Sequence, residues 1–173
     1  MGRLRKPEKA VLFIGSLYSQ TAIFGDVLPL LKKNFGDVFF ESPVSQWDYS
    51  SYYYKELGKP IYRSFIFFKE LFDTSMLSDS KLLTNEIEDM FSMDNKRRIN
   101  LDPGYLTLAK VVLASTKNYS HRISIGQGIY AELALIFQKG NGFQPLPYTY
   151  NDYKERAALE MFSEARDYLR KSS

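Results

Sequence analysis

The chain of 173 residues contains no cysteine. That absence excludes disulfides, thiol nucleophiles, iron–sulfur clusters and thiolate zinc sites together, and it agrees with a reducing cytosol. Histidine is almost as scarce, since His121 stands alone. A zinc site on two histidines is therefore excluded, and carboxylates by themselves suit magnesium or calcium. No Asp-x-Asp loop is present, and Asp48, Glu56, Asp102 and Glu132 would have to be gathered by the fold, so no metal ligand and no cofactor is assigned. Long apolar runs are also missing. The one behind the basic start "MGRLRKPEKAVLFIG" is too short for a signal peptide or a membrane span and breaks at Gly15. Lys6 stands where N-myristoylation prefers Ser or Thr. A soluble, unanchored, cytoplasmic chain is expected.

A dominant charge is lacking too. Lys and Arg number 23 against 20 Asp and Glu, for a net charge of +3. The charges are interleaved except in the first six residues and at Lys96-Arg97-Arg98, so a nucleic-acid partner is disfavoured. The aromatic-rich segment of an RNA-recognition sheet is absent as well.

What is abundant is apolar and aromatic side chain: 45% hydrophobic, with 13 Tyr and 13 Phe. These quantities fit a single α+β domain over 1–173, with 1–8 as a flexible basic head. No repeat or low-complexity segment divides it. Ala10–Leu17 reads as a central strand covered on both faces, and Ser19 as the cap of a helix to Phe35. Pro29 within that helix predicts a kink near Gly25 or a later start at Asp26, and Gly36 suits its end. Val38–Glu41 and Ile61–Phe68 read as strands. Asp73–Met93 reads as a helix with Leu77, Leu83, Ile87, Met90 and Phe91 inward, and Arg98–Leu101 as a fourth strand. The order is the βαββαβ of a ferredoxin-like core. A helix from Pro103 to Ser115, a hairpin at Gly126-Gln127-Gly128 and a final helix Asn151–Lys171 are expected to follow it.

The stretch "INLDPGYLTLAKVVLASTKNYSHRI" carries most of the chemistry. Asp102 and Pro103 suit the cap and first position of a helix. Gly104 leaves that helix start open to an anion. His121, Arg122 and Lys117 follow the same helix. Arg122 and Lys117 are candidate anion ligands, together with Gly104 and Tyr105 at the helix start. Histidine is the one side chain type whose unperturbed pKa lies near neutral pH, so His121 is the candidate general acid or base, with Asp102 or Glu132 orienting it. The competing reading makes His121 and the Asp-Pro pair purely structural.

Two further features stand apart. Ser78 to Lys81 spells the Ser-x-x-Lys of acyl-enzyme nucleophiles, but its Ser-Asp-Asn and Lys-Thr-Gly companions are absent. The long loop "SPVSQWDYSSYYYKELGKP" suits either a lid or binding surface, stacking a base or sugar on its rings, or a segment pinned by those rings.

Taken together, "INLDPGYLTLAKVVLASTK", "SHRISIGQGIYAELALIF", "KLLTNEIE" and "PLPYTYNDY" resemble a bacterial family of uncharacterised proteins grouped as a domain of unknown function, over nearly the whole chain. The resemblance implies no activity. Some members carry an automatic label of GTP-binding protein, yet the phosphate loop G-x-x-x-x-G-K-[ST] is absent, and the chain around Gly15 lacks its second glycine and lysine. The functional expectation is a protein binding an anionic, phosphorylated or nucleotide-like small molecule. The alternative is an RNA-binding or protein-interaction module without catalysis.

Overall fold

The computed structural model describes residues 7–172, so most of the basic head lies outside the described residues. β1 (Lys9–Tyr18) is buried at every position after Lys9, which is why its side chains are apolar at both parities. It sits mid-sheet between β4 (Ile61–Asp73) and β5 (Ile99–Leu106), antiparallel to both. β2 (Val38–Glu41) and β3 (Ser45–Trp47) pair with β4. Beyond β5 come β6 (Lys110–Ser115), β8 (Ile129–Gln138) and β7 (Ile123–Gly126), and β9 (Gly142–Pro145) also pairs with β8.

The result is one nine-stranded antiparallel sheet of order β2-β4-β1-β5-β6-β8-β7. Taken whole, that order is not the order of a four-stranded ferredoxin-like sheet. Among the described residues, no helix is long and apolar enough to cross a membrane.

Helices cover both faces. α1 (Thr21–Phe35) and α3 (Leu77–Met90) bury Ile23, Val27, Leu31 and Ile87 against Leu12, Ile14, Ile66 and Leu101. α5 (Arg156–Ser172) packs on the other face. Its stripe of Ala158, Phe162, Ala165 and Leu169 meets Phe13, Phe65 and Phe67, as its spacing predicts. Phe162 is fully buried, with its ring edge-on to that of Phe13 at 5.0 Å. α2 (Tyr54–Leu57) and α4 (Asn151–Lys154) are single turns in the connections, and Glu155 takes an extended conformation that separates α4 from α5.

Several local expectations are corrected. Ser19 does not cap α1, because its hydroxyl donates to the Leu57 carbonyl. The helix runs from Thr21 through Pro29 to Phe35 without interruption, closed by Gly36 at φ 93°. α3 starts after a 3-10 turn at Thr74–Met76 and turns Ser78, Lys81, Thr84 and Glu88 inward, leaving Met90 exposed.

The largest correction is Pro103–Ser115, which is no helix but the second half of β5, a tight turn and β6. The Asp-Pro-Gly cap is a local signal that long-range packing overrides. A Cβ on Gly104 would lie 2.5 Å from Phe13 Cζ and 2.6 Å from the Val112 carbonyl oxygen, so glycine is needed for strand-to-strand approach. The hairpin at Gly126-Gln127-Gly128 forms as expected, with φ of 96°, 55° and 75°.

Candidate functional site

β5 and β6 are paired only over Gly104–Leu106 and Val111–Leu113. Ahead of Gly104, β5 stays with β1 while β6 stays with β8 through Ser115. The sheet therefore forks in its middle, and Pro103, with no N–H to give, stands at the parting point.

The open edge of β5 needs partners for its backbone. α3 supplies them: Leu101 N–H donates to Glu88 Oε1 at 2.6 Å, and Lys81 Nζ donates to the Leu101 carbonyl at 2.7 Å. These two buried charges replace a missing strand, which explains the polar inward face of α3. Burial pushes the Glu88 carboxyl up, and Lys81 and the Leu101 N–H offset part of that rise.

The fork opens on a cleft of about 220 Å³ that is also lined by Trp47, Tyr53, Tyr150, Asp152 and Tyr153. Register places Arg63, Asn100, Asp102 and Glu132 on the same sheet face as α5. The charges are paired almost throughout. Arg63 donates from Nε to Asp152 Oδ2 at 2.7 Å and again from Nη2, and Trp47 Nε1 reaches the same oxygen at 3.2 Å. Lys81 lies 3.2 Å from Asp102 and 3.7 Å from Glu88. Arg97 grips both oxygens of Glu56, at 2.7 and 2.8 Å, and also reaches Glu88 at 2.9 Å. For Asp102, burial raises the pKa, but Lys81 and Arg63 outweigh it and hold the carboxyl below its ordinary range.

Two buried polar atoms find no partner among the described residues, Arg63 Nη1 and Glu132 Oε1, and both residues line the cleft. Above Gly15 the sheet carries no side chain. A Cβ there would lie 3.0 Å from Arg63 Nη1 and 3.1 Å from Tyr153 Oη. The two donors thus converge over the Gly15 backbone, with the edge of the Phe65 ring, 3.2 Å from the same point, beside them. Burial raises the Tyr153 phenol well above its ordinary pKa, so it stays a proton donor.

Of the expected site residues, Asp102, Lys117 and Glu132 line the cleft. Lys117 holds its ammonium 4.0 Å over the Tyr52 ring. The remaining four do not line it. Gly104 is a packing position. Tyr105 packs beside Phe72 with the Leu77 and Val112 cluster. Arg122 commits four of its five N–H groups, donating to Glu132 Oε2 at 2.6 Å, Ser115 Oγ at 3.0 Å, the Lys117 carbonyl at 2.9 Å and Tyr150 Oη at 2.7 Å. It has no fork left for an anion and instead holds Glu132 in place. His121 stacks on Tyr148 at 4.2 Å, with Nε2 3.1 Å from Glu132 Oε2.

The residues that sequence reasoning missed are Arg63, Lys81, Asp152 and Tyr153. A signal for the first was present: an arginine inside the apolar strand "IYRSFIFF" must find a buried partner. The aromatic loop proves to be a wall of the cleft through Trp47 and Tyr53, with Glu56 anchoring it to Arg97. Among the described residues, no group of three or more His, Asp or Glu side chains is placed to hold a metal ion.

Fold and cleft together define an α+β protein built on an antiparallel sheet that encloses a charged internal site. The chain matches the family described as Domain of unknown function (DUF4416) over residues 8–168 and belongs to it. No match was found among curated proteins or among solved structures.

Proposed function

We propose that the chain binds a small molecule through an anionic group, held by Arg63 Nη1 and Tyr153 Oη above Gly15. The observation that carries this reading is the unpartnered guanidinium nitrogen of a side chain only 6% exposed. A buried donor without a partner costs about 1–3 kcal/mol, and an arriving acceptor removes that cost. A ferredoxin-like reading of β2-β4-β1-β5 with α1 and α3, to which β6–β9 are added, puts the cleft at the seam between core and addition. The anion site moves from Arg122 to Arg63, with Lys117 at the mouth.

The alternative of RNA binding is weaker. Arg97 of the basic cluster turns inward to Glu56, and Arg98 donates to Gln20.

The test is thermal unfolding with acetate, inorganic phosphate and adenosine monophosphate on the wild type, Tyr153→Phe and Gly15→Ala. A ligand at about 100 times its Kd stabilises by about 2.7 kcal/mol. At least one anion is expected to raise the wild-type Tm, with the shift reduced in both variants. Equal shifts in all three proteins, or none in the wild type, overturn the proposal.

A further inference from the structure

The other unpartnered atom sets a second condition on the ligand. Glu132 is 2% exposed, and its carboxylate is held from one side only: Oε2 takes Arg122 Nε and faces His121 Nε2, while Oε1 has no partner among the described residues. A carboxylate fixed in this way is an acceptor waiting for a donor, and its strongest complement is a charged one.

The cleft therefore offers a cationic donor on the β4 side of the fork and an anionic acceptor on the β8 side. Its charges also balance. Arg63, Lys81, Arg97 and Lys117, with Arg122 behind Glu132, face Asp102, Glu132 and Asp152, with Glu56 and Glu88 behind Arg97 and Lys81. A ligand with a large net charge would upset that balance among side chains most of which are themselves buried, where an uncompensated ion is costly. A multiply charged phosphate ester is disfavoured on this ground. The volume of about 220 Å³ lies below the roughly 300 Å³ at which pockets for drug-sized ligands begin.

From these observations we infer that the ligand is a small zwitterion of the amino-carboxylate class, its carboxylate at Arg63 and Tyr153 and its ammonium at Glu132. The inference rests on the anion-binding reading above and adds the second pole. Hydrogen bonds to charged groups contribute about 1.5–3 kcal/mol, so removing the amine weakens binding by about tenfold or more.

The experiment uses the full chain and three matched sets of probes in calorimetry and thermal unfolding: free L-amino acids with β-alanine and 4-aminobutyrate, the same acids lacking the amine, and the same amines lacking the carboxylate. At least one amino-carboxylate is expected to bind at least tenfold tighter than both of its truncated forms. Glu132→Gln keeps the side-chain volume and should bring that amino-carboxylate down to the affinity of its des-amino form, whereas Tyr153→Phe should weaken both. If des-amino carboxylates bind as tightly as amino-carboxylates and still depend on Tyr153, the anion site stands and the zwitterion inference falls. If no carboxylate of either kind binds, the zwitterion inference falls, and the anion-binding reading falls with it only if inorganic phosphate and adenosine monophosphate also fail to bind. The wild-type ligand comparison decides the question even where a variant folds poorly.

Discussion

Gly104 and Gly15 lie two rows apart on the same sheet face, and replacing each with alanine should have opposite consequences. Neither has a left-handed φ, so alanine restricts the unfolded chain and contributes about 0.4–1 kcal/mol of stability at each position. At Gly104 the new methyl would meet Phe13 Cζ at 2.5 Å, the Val112 carbonyl oxygen at 2.6 Å and Leu113 Cδ2 at 2.9 Å. Phe13 is fully buried, and the carbonyl belongs to the neighbouring strand, so neither yields without moving the sheet. Overpacking typically costs about 1–3 kcal/mol, and two contacts of this severity place the cost near the top of that range. The net loss is about 2 kcal/mol, or roughly 4–8 °C in Tm for a chain of this size. At Gly15 the nearest atoms stand at 3.0–3.2 Å and belong to side chains, led by the far end of Arg63. A guanidinium can shift by a few tenths of an ångström, so stability should change by about 0.5 kcal/mol or less, while anion binding is lost. Urea unfolding midpoints report the first effect, and ligand-induced Tm shifts the second. A Gly104→Ala protein as stable as the wild type that fails to bind anions would refute this reasoning and return the anion site to the "DPG" segment.

Phe162→Ala removes a ring in contact with Phe13, Phe65, Phe67 and Tyr153 and should cost about 3–5 kcal/mol in chemical unfolding; a loss under about 1 kcal/mol would mean that α5 is not a principal cover of the sheet. Lys81→Met leaves Glu88 and the Leu101 carbonyl short of a partner and should cost about 3–5 kcal/mol, partly recovered in the double variant Lys81→Met/Glu88→Gln. Absence of any recovery would contradict the coupling between the two side chains. Burial raises the phenols of Tyr53, Tyr150 and Tyr153. A group whose folded pKa is raised contributes stability that is complete below the unfolded value, about 10 for tyrosine, and is lost as pH rises through the folded value. The chain should therefore lose stability above about pH 10, with these phenols ionising only as it unfolds; reversible ionisation in the folded chain near the ordinary tyrosine value would count against it.

The elements legible in the sequence are those whose pattern is set by burial along one segment. β1 and β4 are apolar at both parities because both their faces are covered, and the stripe of α5 follows from a single apolar neighbour. Pro103–Ser115 is the counterexample, since its Asp-Pro-Gly satisfies every local rule for a helix start. Only Phe13 and Val112, neither adjacent in the chain, require the glycine in a strand. The inner face of α3 was hidden for a related reason: its lysine and glutamate serve a backbone edge that exists only because the sheet forks. The site divides in the same way. Asp102 and Lys117 belong to one stretch and Glu132 follows it within ten residues, whereas Arg63 and Asp152 are 89 positions apart and meet only in the fold. His121 and Arg122 both meet Glu132 Oε2, a contact that neighbouring positions in the chain do not reveal.

The fork has a mechanical side as well. Three residue pairs and the turn at Thr107–Lys110 join the two halves of the sheet at that point, like the pivot of a pair of tongs whose jaws carry Arg63 and Glu132. Spreading the jaws breaks no strand ladder, because none spans the gap. The amide of Leu101 on the open edge is held by the Glu88 carboxylate and not by a strand, so its hydrogen exchange is expected to run ahead of that of the ladder amides of β1 beside it. If a molecule bridges Arg63 and Glu132 as proposed, exchange at Leu101 is expected to slow when it binds.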